Sequence, residues 1–240
     1  MAPTPTVVLV HGAFADASGY AGVIHELEKD GISVVAPPNP LRSLSTDAAA
    51  LEAFVGAIDG PVLLVGHSYG GAVITQASAS LPNVVGLVYL AAFALAVGES
   101  CASVQEGHPA SLLSTSLVPT SYDAPGAPDG PDFFIAKAPF QEVFCADSSK
   151  KESDIMYATQ RPLSGAAYTE NATAAGWTTL PSWFLISEKD NSIPPEVQHF
   201  TAERAKGTIE TINGSHTAFI AHAHTAARFI ATAAKSFSQR

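Results

Sequence analysis

The chain of 240 residues has few cysteines, few positive charges and no long apolar run, and each shortage excludes a class of protein. Its two cysteines, Cys101 and Cys145, are too few for a disulfide scaffold or a tetrahedral zinc site, so we predict no metal site. Both lie in the same central stretch, which leaves one disulfide open, and we expect two free thiols.

Positive charge is scarce, since 12 Lys and Arg face 22 Asp and Glu and the net charge is −10. Nucleic acids and anionic membrane surfaces are bound mainly through Lys and Arg, so we expect neither as a partner. No apolar run is long enough to span a bilayer. The opening MAPTPT has no basic region followed by an apolar core, so we expect no signal peptide and a cytoplasmic location.

Apolar residues, in contrast, make up 47% of the chain against 14% charged residues, which is ample for a sizeable core. Short apolar runs that do not alternate with polar residues are each followed by a helical pattern. This arrangement favours parallel strands covered by helices on both faces. We predict a single domain over residues 1–240 with a doubly wound, mostly parallel α/β fold. The predicted strands are 7–10, 32–36, 62–65, 84–90, 182–186 and 208–212.

The regular alternation stops in the segment from about 96 to 176, which is rich in Pro, Gly and Ser and contains YDAPGAPDGPD. A connection this long inside a compact domain is usually functional or has structure of its own. Short aromatic clusters in the segment argue against a loose surface excursion. We therefore predict a small cap of short helices inserted into the α/β core.

The stretch GHSYGG, residues 66–71, ends the third predicted strand and begins a helix. A serine hydroxyl is a weak nucleophile unless a base takes its proton, and it must project clear of the backbone. A sharp strand-to-helix turn flanked by small residues projects it in this way, and the pattern G-x-S-x-G is typical of that turn. We predict that Ser68 is a nucleophile and that the turn has more than a structural role.

A base and an acid should follow Ser68 in the order Asp then His, each in a loop after a later strand. Among the downstream histidines only His216, in NGSH, directly follows a predicted strand. We predict that His216 is the base. The other candidates lie in the insertion or in predicted helices: His108, His199, His222 and His224.

Asp190 follows the fifth predicted strand, in the stretch SEKD, and we predict that it orients His216. Glu188 in the same stretch is the rival acid. A role for Asp190 as a helix cap alone is the other alternative, and it is weakened because three separate loops deliver Ser, Asp and His in order. The remaining downstream aspartates fall in the insertion: Asp123, Asp129, Asp132, Asp147 and Asp154.

The stretch HGAF, residues 11–14, follows the first predicted strand. Acyl transfer generates an oxyanion, and backbone N–H groups fixed in advance to receive it lower the barrier. We predict that Ala13, in preference to Phe14, provides one such donor and that Tyr69, after the nucleophile, provides the second. His11 is interpreted as a structural residue that holds this loop.

With these motifs the chain resembles the α/β-hydrolase superfamily. It is similar to the small-capped branch that includes plant esterases of methyl salicylate-type esters and the hydroxynitrile lyases. The resemblance rests on HGAF, GHSYGG, SEKDNSIPP and GSH. It implies that Ser68 is the nucleophile, Asp190 the acid and His216 the base. The lyases usually carry a bulkier residue after the first-loop histidine, so Gly12 favours a hydrolase.

We therefore predict a carboxylesterase that acts on a small to medium apolar ester through an acyl-enzyme on Ser68, without a cofactor. A hydroxynitrile lyase, a perhydrolase or a lactonase could use the same three residues, and a non-catalytic ligand receptor could keep the same fold. A dehalogenase or an epoxide hydrolase would need an acidic nucleophile in place of Ser68. The sequence predicts neither the natural substrate nor the oligomeric state.

Overall fold

A computed structural model describes residues 3–128 and 130–238, so Asp129 and both ends of the predicted domain 1–240 lie outside the described residues. The core is a parallel sheet of six strands with helices on both faces, which confirms the predicted fold class. The strands are β1 Thr6–Val10, β2 Val34–Val35, β3 Val62–His67, β4 Val84–Leu90, β5 Leu117–Thr120, β6 Asp132–Ile135, β7 Leu163–Ser164, β8 Ser182–Ser187 and β9 Thr208–Ile212. The helices are α1 Ala21–Lys29, α2 Leu44–Gly56, α3 Tyr69–Ala77, α4 Phe140–Phe144, α5 Lys150–Thr159, α6 Gly165–Thr169, α7 Pro195–Arg204, α8 Ala218–Ala221 and α9 Ala223–Ser238.

The strand order in the core sheet is β2-β1-β3-β4-β8-β9, and every pair is parallel. Alternate residues of β1 enter two separate apolar cores because side chains of a strand point to opposite faces. Val8 and Val10 pack in the core that contains α2 and α3, whereas Val7 and Leu9 pack in the core that contains α1 and α9. Burial on both faces explains why the strand sequences are continuously apolar.

Local signals set the ends of α2 and α3. Ser43 caps α2, because its Oγ accepts a hydrogen bond from the amide of Thr46 at 3.2 Å. Helix α3 gives way at residue 78 to a short 3₁₀ turn, and Pro82 follows. The parallel arrangement brings the carboxyl ends of β1, β3, β8 and β9 to one edge of the sheet, where the loops with the predicted site residues begin.

The predicted cap segment contains α4, α5 and α6 together with a feature that the sequence analysis did not anticipate. Strands β5, β6 and β7 form a separate antiparallel sheet. These strands have only two to four residues, too few to show a clear alternation. The aromatic side chains of Phe140 and Phe144 are buried in the same apolar core as α2 and α3, so the segment packs firmly on the sheet domain.

Cys101 and Cys145 are both buried and free, as the sequence predicted. Within residues 3–128 and 130–238, no helix has both the length and the apolar character that crossing a membrane requires.

Candidate active site

Ser68 lies at the turn between β3 and α3 with backbone angles φ 55° and ψ −125°. A residue other than glycine held at positive φ costs about 1–3 kcal/mol, so the surrounding structure must enforce it. The end of β4 does so, because the amide of Ser68 donates to the carbonyl of Leu90 at 3.3 Å and the amide of Phe93 donates to the carbonyl of Ser68 at 3.2 Å. Hydrogen bonds to the end of β4 and to the residues that follow it therefore hold the strained turn in place.

Glycines allow the backbones around Ser68 to approach closely. A Cβ atom at Gly12 would lie 2.6 Å from Cβ of Ser68 and 2.8 Å from the carbonyl oxygen of His67. A Cβ atom at Gly70 would overlap the carbonyl oxygen of Val10. The loop after β1 therefore lies directly against the serine.

His216 and Asp190 meet at this edge of the sheet, and both side chains are buried. Nδ1 of His216 donates to Oδ2 of Asp190 at 2.7 Å, and Oδ2 also accepts from Nε2 of Gln198 at 2.9 Å. Oδ1 of Asp190 accepts from the amides of Ser192 at 2.7 Å and Ile193 at 2.9 Å. Four donors thus fix the carboxylate. With its proton on Nδ1, the imidazole keeps Nε2 free to accept a proton.

Ser68 and His216 are not hydrogen-bonded to each other within the described residues. The His216 ring lies 4.6 Å, between centroids, from the ring of His67, the residue directly before the serine. On another side it packs against Phe144 at 5.5 Å. Catalytic hydrogen bonds are often long or poorly aligned without substrate and shorten in the substrate complex.

His67 is a functional residue that sequence reasoning missed, because it was considered only as the variable position of G-x-S-x-G. Its Nε2 donates to the carbonyl oxygen of His216 at 2.9 Å, and its Nδ1 is buried without a partner. Burial, with the nearby His216 as a second cause, holds the pKa of His67 well below its usual value. His67 is therefore neutral and ties the turn at Ser68 to the loop that carries His216.

In the loop after β1, the backbone amide of Phe14 has a hydrogen-bond partner and that of Ala13 does not, within the described chain. The amide of Phe14 donates to the carbonyl of Arg161 at 3.0 Å, whereas no hydrogen bond from the amide of Ala13 is found within the described chain. Nδ1 of His11 donates to the carbonyl oxygen of Gly12 at 2.9 Å. Because C=O and N–H of one trans peptide point in opposite directions, this bond directs the Ala13 N–H away from His11.

His11 itself is held by the next loop, since its Nε2 accepts from the amide of Asn39 at 2.9 Å. The side-chain amide of Asn39 donates to the carbonyl of His11, also at 2.9 Å. Burial lowers the pKa of His11, which favours the neutral ring that these two bonds require. His11 therefore holds the loop, in agreement with the structural role that we interpreted from the sequence.

Tyr69 lies at the start of α3, where the first amides of a helix have no partner within the helix. No hydrogen bond from its amide is found within the described residues. Its side chain points elsewhere, because the hydroxyl donates to Oδ2 of Asp47 at 2.8 Å. Burial raises the pKa of both Asp47 and Tyr69. The buried Asp47 anchors Tyr69 and is a second residue that sequence reasoning missed.

Two other downstream acids take different positions. Asp147, set aside in the sequence analysis as a residue of the insertion, accepts from the amide of Ser215 through both carboxylate oxygens, at 2.9 and 2.8 Å. It therefore holds the residue directly before His216. Glu188, the rival acid, is partly exposed and contacts His199 at 3.1 Å.

A small cavity opens beside Ser68, and we call it the inner cavity. It has a volume of about 50 Å³ and contains Ser68 together with Ala13 and Tyr69. No charged side chain lines it. Much of its remaining wall is apolar and comes largely from the cap segment and the loop after β4: Phe14, Phe93, Leu113, Leu117, Phe133, Leu163 and Ile193.

Metal binding would need at least three suitable side chains in one place. In residues 3–128 and 130–238, no group of three or more His, Cys, Asp or Glu has that arrangement.

Comparison with known proteins gives a consistent picture. The model of a family described as "Alpha/beta hydrolase family" matches residues 7–232. A probable hydrolase, R7, from Phoma sp. (strain ATCC 20986 / MF5453) is 31% identical over 212 residues, which cover 81% of each chain.

Solved structures with the same fold include two hydrolytic enzymes. A pyrethroid hydrolase from Sphingobium faniae JZ-2 aligns with a TM-score of 0.81 at 20% identity, over 98% of this chain and 99% of that one. Polyneuridine aldehyde esterase aligns with a TM-score of 0.80 at 19% identity, over 98% of this chain and 100% of that one.

Proposed function

Because the chain belongs to the alpha/beta hydrolase family and resembles esterases in structure, we propose that it is a serine-dependent carboxylesterase. Its substrate is a small to medium apolar ester, which it cleaves through an acyl-enzyme on Ser68. The observation that carries this proposal is the buried hydrogen bond between Asp190 and His216 beside the strained Ser68. Such a site needs an acid that fixes the base and a nucleophile that projects from the backbone.

In the first step, Nε2 of His216 takes the proton of Ser68 Oγ as the oxygen attacks the ester carbonyl carbon. Asp190 keeps the imidazole in the required tautomer and stabilises the imidazolium that forms. The carbonyl π electrons move to oxygen, and the free amides of Ala13 and Tyr69 stabilise this oxyanion. The Phe14 amide is already bonded to Arg161, which supports Ala13 as the donor.

In the second step, the imidazolium of His216 gives its proton to the alcohol oxygen, and the bond between that oxygen and the carbonyl carbon breaks. The acyl group remains on Ser68 as an ester. Water then attacks the acyl carbon while His216 takes its proton, and the acid leaves when the proton returns to Ser68 Oγ. The reaction uses only groups of this chain and water.

The environment of Gly12 favours a hydrolase over the lyase alternative. A single added Cβ atom at this position would lie 2.6 Å from Cβ of Ser68. The bulkier residue usual in the lyases therefore has no room in this loop. Perhydrolases and lactonases would use the same residues, and assays on peroxide with acetate and on lactones separate them from an esterase.

Labelling with a fluorophosphonate probe, together with hydrolysis of p-nitrophenyl esters, tests the proposal. We expect the native protein to form one covalent adduct and to hydrolyse short-chain esters. Ser68→Ala should lose the adduct and at least about 10⁴-fold in kcat. Ser80→Ala, at an exposed serine outside the inner cavity, should retain both. An unlabelled native protein without esterase activity would instead favour a ligand receptor.

A further inference from the structure

A second and larger space lies next to the inner cavity, and we call it the outer groove. Its volume is about 240 Å³, against about 50 Å³ for the inner cavity. It lies between the cap helix α5 and the segment that leads into α1. Its apolar wall includes Phe14, Gly22, Phe144, Ile155, Met156 and Ile220.

Phe14 is a lining residue of both spaces. It is buried, it has a φ of 60°, and its amide is held by Arg161 of the cap. Its ring packs edge-on against Phe144 at 6.3 Å, and Phe144 in turn contacts the imidazole of His216. The two aromatic rings therefore form a partition that ends at the proposed base.

The positions of the reacting groups indicate which part of an ester each space holds. The inner cavity contains Ser68 and both proposed oxyanion donors, whereas the loop 214–217, which carries His216, lines neither space. Phe144, whose ring packs against the imidazole of His216, lines the outer groove and not the inner cavity, and the same holds for Ile220, four residues after His216. Because the base gives its proton to the departing alcohol, the alcohol must lie on the side of His216.

The charges of the outer groove limit what it can bind. Its lining includes two carboxylates, Asp16 and Glu152, and no Lys, Arg or His. Hydrogen bonds from Ser18 and Ser149 lower the pKa values of these two groups, so both are ionised at neutral pH. Arg161 is the nearby cation and acts on Asp16. An anionic group is disfavoured here, and an uncharged apolar group fits the remaining wall.

We propose that the outer groove binds the alcohol group of the substrate and that Phe14 separates it from an inner cavity that accepts only a short acyl group. This inference rests on the proposed esterase activity. The substrate class is then an ester that joins a short acyl group to a bulky, uncharged, apolar alcohol.

Two isomeric esters test this assignment without a large change in chemical reactivity. In 3-phenylpropyl acetate the phenyl group belongs to the alcohol, and in ethyl 3-phenylpropanoate it belongs to the acyl group. We expect the acetate to have the higher kcat/KM by at least about tenfold. Equal values, or a preference for the propanoate, would overturn the assignment.

A substitution at the groove provides a second test. Ile155 lines the outer groove on α5 and is 55% exposed, so Ile155→Trp should fold while filling part of the space. We expect it to lower kcat/KM for 3-phenylpropyl acetate about tenfold and to lower that for ethyl acetate, whose alcohol group is small, much less. Val97→Trp, at a cap residue that is 65% exposed and away from both spaces, is the matched control. A similar loss in both variants, or in neither, would contradict the proposal.

The two proposals fail in different ways. If the native protein hydrolyses neither isomer faster than Ser68→Ala, the esterase proposal is wrong and the substrate class falls with it. The groove can still be judged from fluorescence titration of Ser68→Ala with 2-naphthol, an apolar alcohol. Binding that is weakened about tenfold by adding Ile155→Trp supports the groove as an alcohol site. Binding that this change does not affect excludes it.

Discussion

The sheet edge that carries the proposed catalytic residues is stabilised by different contacts from those that attach the cap to the core. At the edge, buried polar groups are fixed by several partners each, as in the four donors to Asp190 and the two bonds of His11. The cap joins the core through the buried rings of Phe140 and Phe144 and through ion pairs with partly exposed arginines, Arg42 with Asp132 and Arg204 with Glu99. The polar groups that the proposed chemistry would use are therefore fixed by several hydrogen bonds each, as preorganisation requires.

The cap also makes hydrogen bonds to residues of the proposed active site. Asp147 holds the amide of Ser215, and the carbonyl of Arg161 holds the amide of Phe14. The cap thus positions one residue beside the base and one beside the oxyanion donor. The following predictions compare substitutions at the sheet edge, which should affect catalysis or pH dependence, with a substitution at a contact to the cap, which should affect stability.

The largest effect is expected at Asp190. Asp190→Asn removes the carboxylate that fixes the tautomer of His216, and we expect kcat for a short ester to fall about 10⁴-fold. Glu188→Gln, at the rival acid of the same loop, is the control and should change kcat less than threefold, on the order expected for an exposed group. Steady-state kinetics with both variants provide the measurement. A greater loss from Glu188→Gln would mean that the acid is misassigned.

A second large effect is expected at Gly12. Gly12→Val places side-chain atoms against Ser68 and the carbonyl of His67, so the serine and the first oxyanion donor must move apart. We expect kcat to fall by about 10²–10³, as when one oxyanion donor is lost, with a smaller effect on KM. Gly56→Val, at a helix end with open space around it, is the control for the loss of a glycine. Unchanged kcat in Gly12→Val would show that this loop does not contact the reacting group.

Arg42 joins the cap to the core and should affect stability more than chemistry. Its guanidinium contacts the buried Asp132 at 2.9 Å and also donates to the carbonyl of Pro162. We expect Arg42→Met to lower the free energy of unfolding by about 2–3 kcal/mol, measured by urea denaturation. Lys150→Met breaks the exposed pair with Asp154 and should cost at most about 0.5 kcal/mol. Equal losses in the two variants would show that the link is unimportant.

His67 should make stability depend on pH. In the folded chain its pKa is well below 6.5, so below about pH 6.5 the unfolded chain binds a proton that the folded chain does not. The contribution of His67 to the free energy of unfolding is fully present above about pH 6.5. Below that pH it falls by up to about 1.4 kcal/mol per pH unit.

Urea denaturation of the native protein and of His67→Gln at pH 7.5, 6.5 and 5.5 provides the measurement. We expect a smaller loss between pH 6.5 and 5.5 in the variant than in the native protein. His11, whose pKa is also lowered by burial, contributes a loss of the same sign to both proteins. Identical pH dependence would show that His67 does not resist protonation in the fold.

The bounds of the buried core strands were predicted closely from the sequence, because a strand that is buried on both faces has a continuous apolar run. The predicted strand 84–90 coincides with β4, which is buried along almost its whole length. The predicted strand 208–212 coincides with the edge strand β9, although most of that strand is exposed. The order of Ser68, Asp190 and His216 along the chain was informative because parallel topology brings the ends of strands to one edge. The predicted contact between Asp190 and His216 is present in the structure.

The contacts that could not be predicted join residues far apart in sequence. His67 and His216 are separated by 149 positions, and Asp147 and Ser215 by 68. Each of these contacts depends on the path of a loop in three dimensions, which the local pattern of apolar residues does not predict. The cap sheet escaped prediction for a related reason, because its strands are short and are paired across long connections.

The central claim, that Ser68 attacks an ester under control of His216, is tested most directly by trapping the intermediate. The native protein is mixed with excess p-nitrophenyl acetate, quenched in acid within the first turnovers, and analysed by intact mass and peptide mapping. We predict one added acetyl group on the peptide that contains Ser68, and no such group in His216→Ala quenched at the same time. Turnover without an acyl-protein, or an acetyl group on Cys101 or on another serine, would contradict the account.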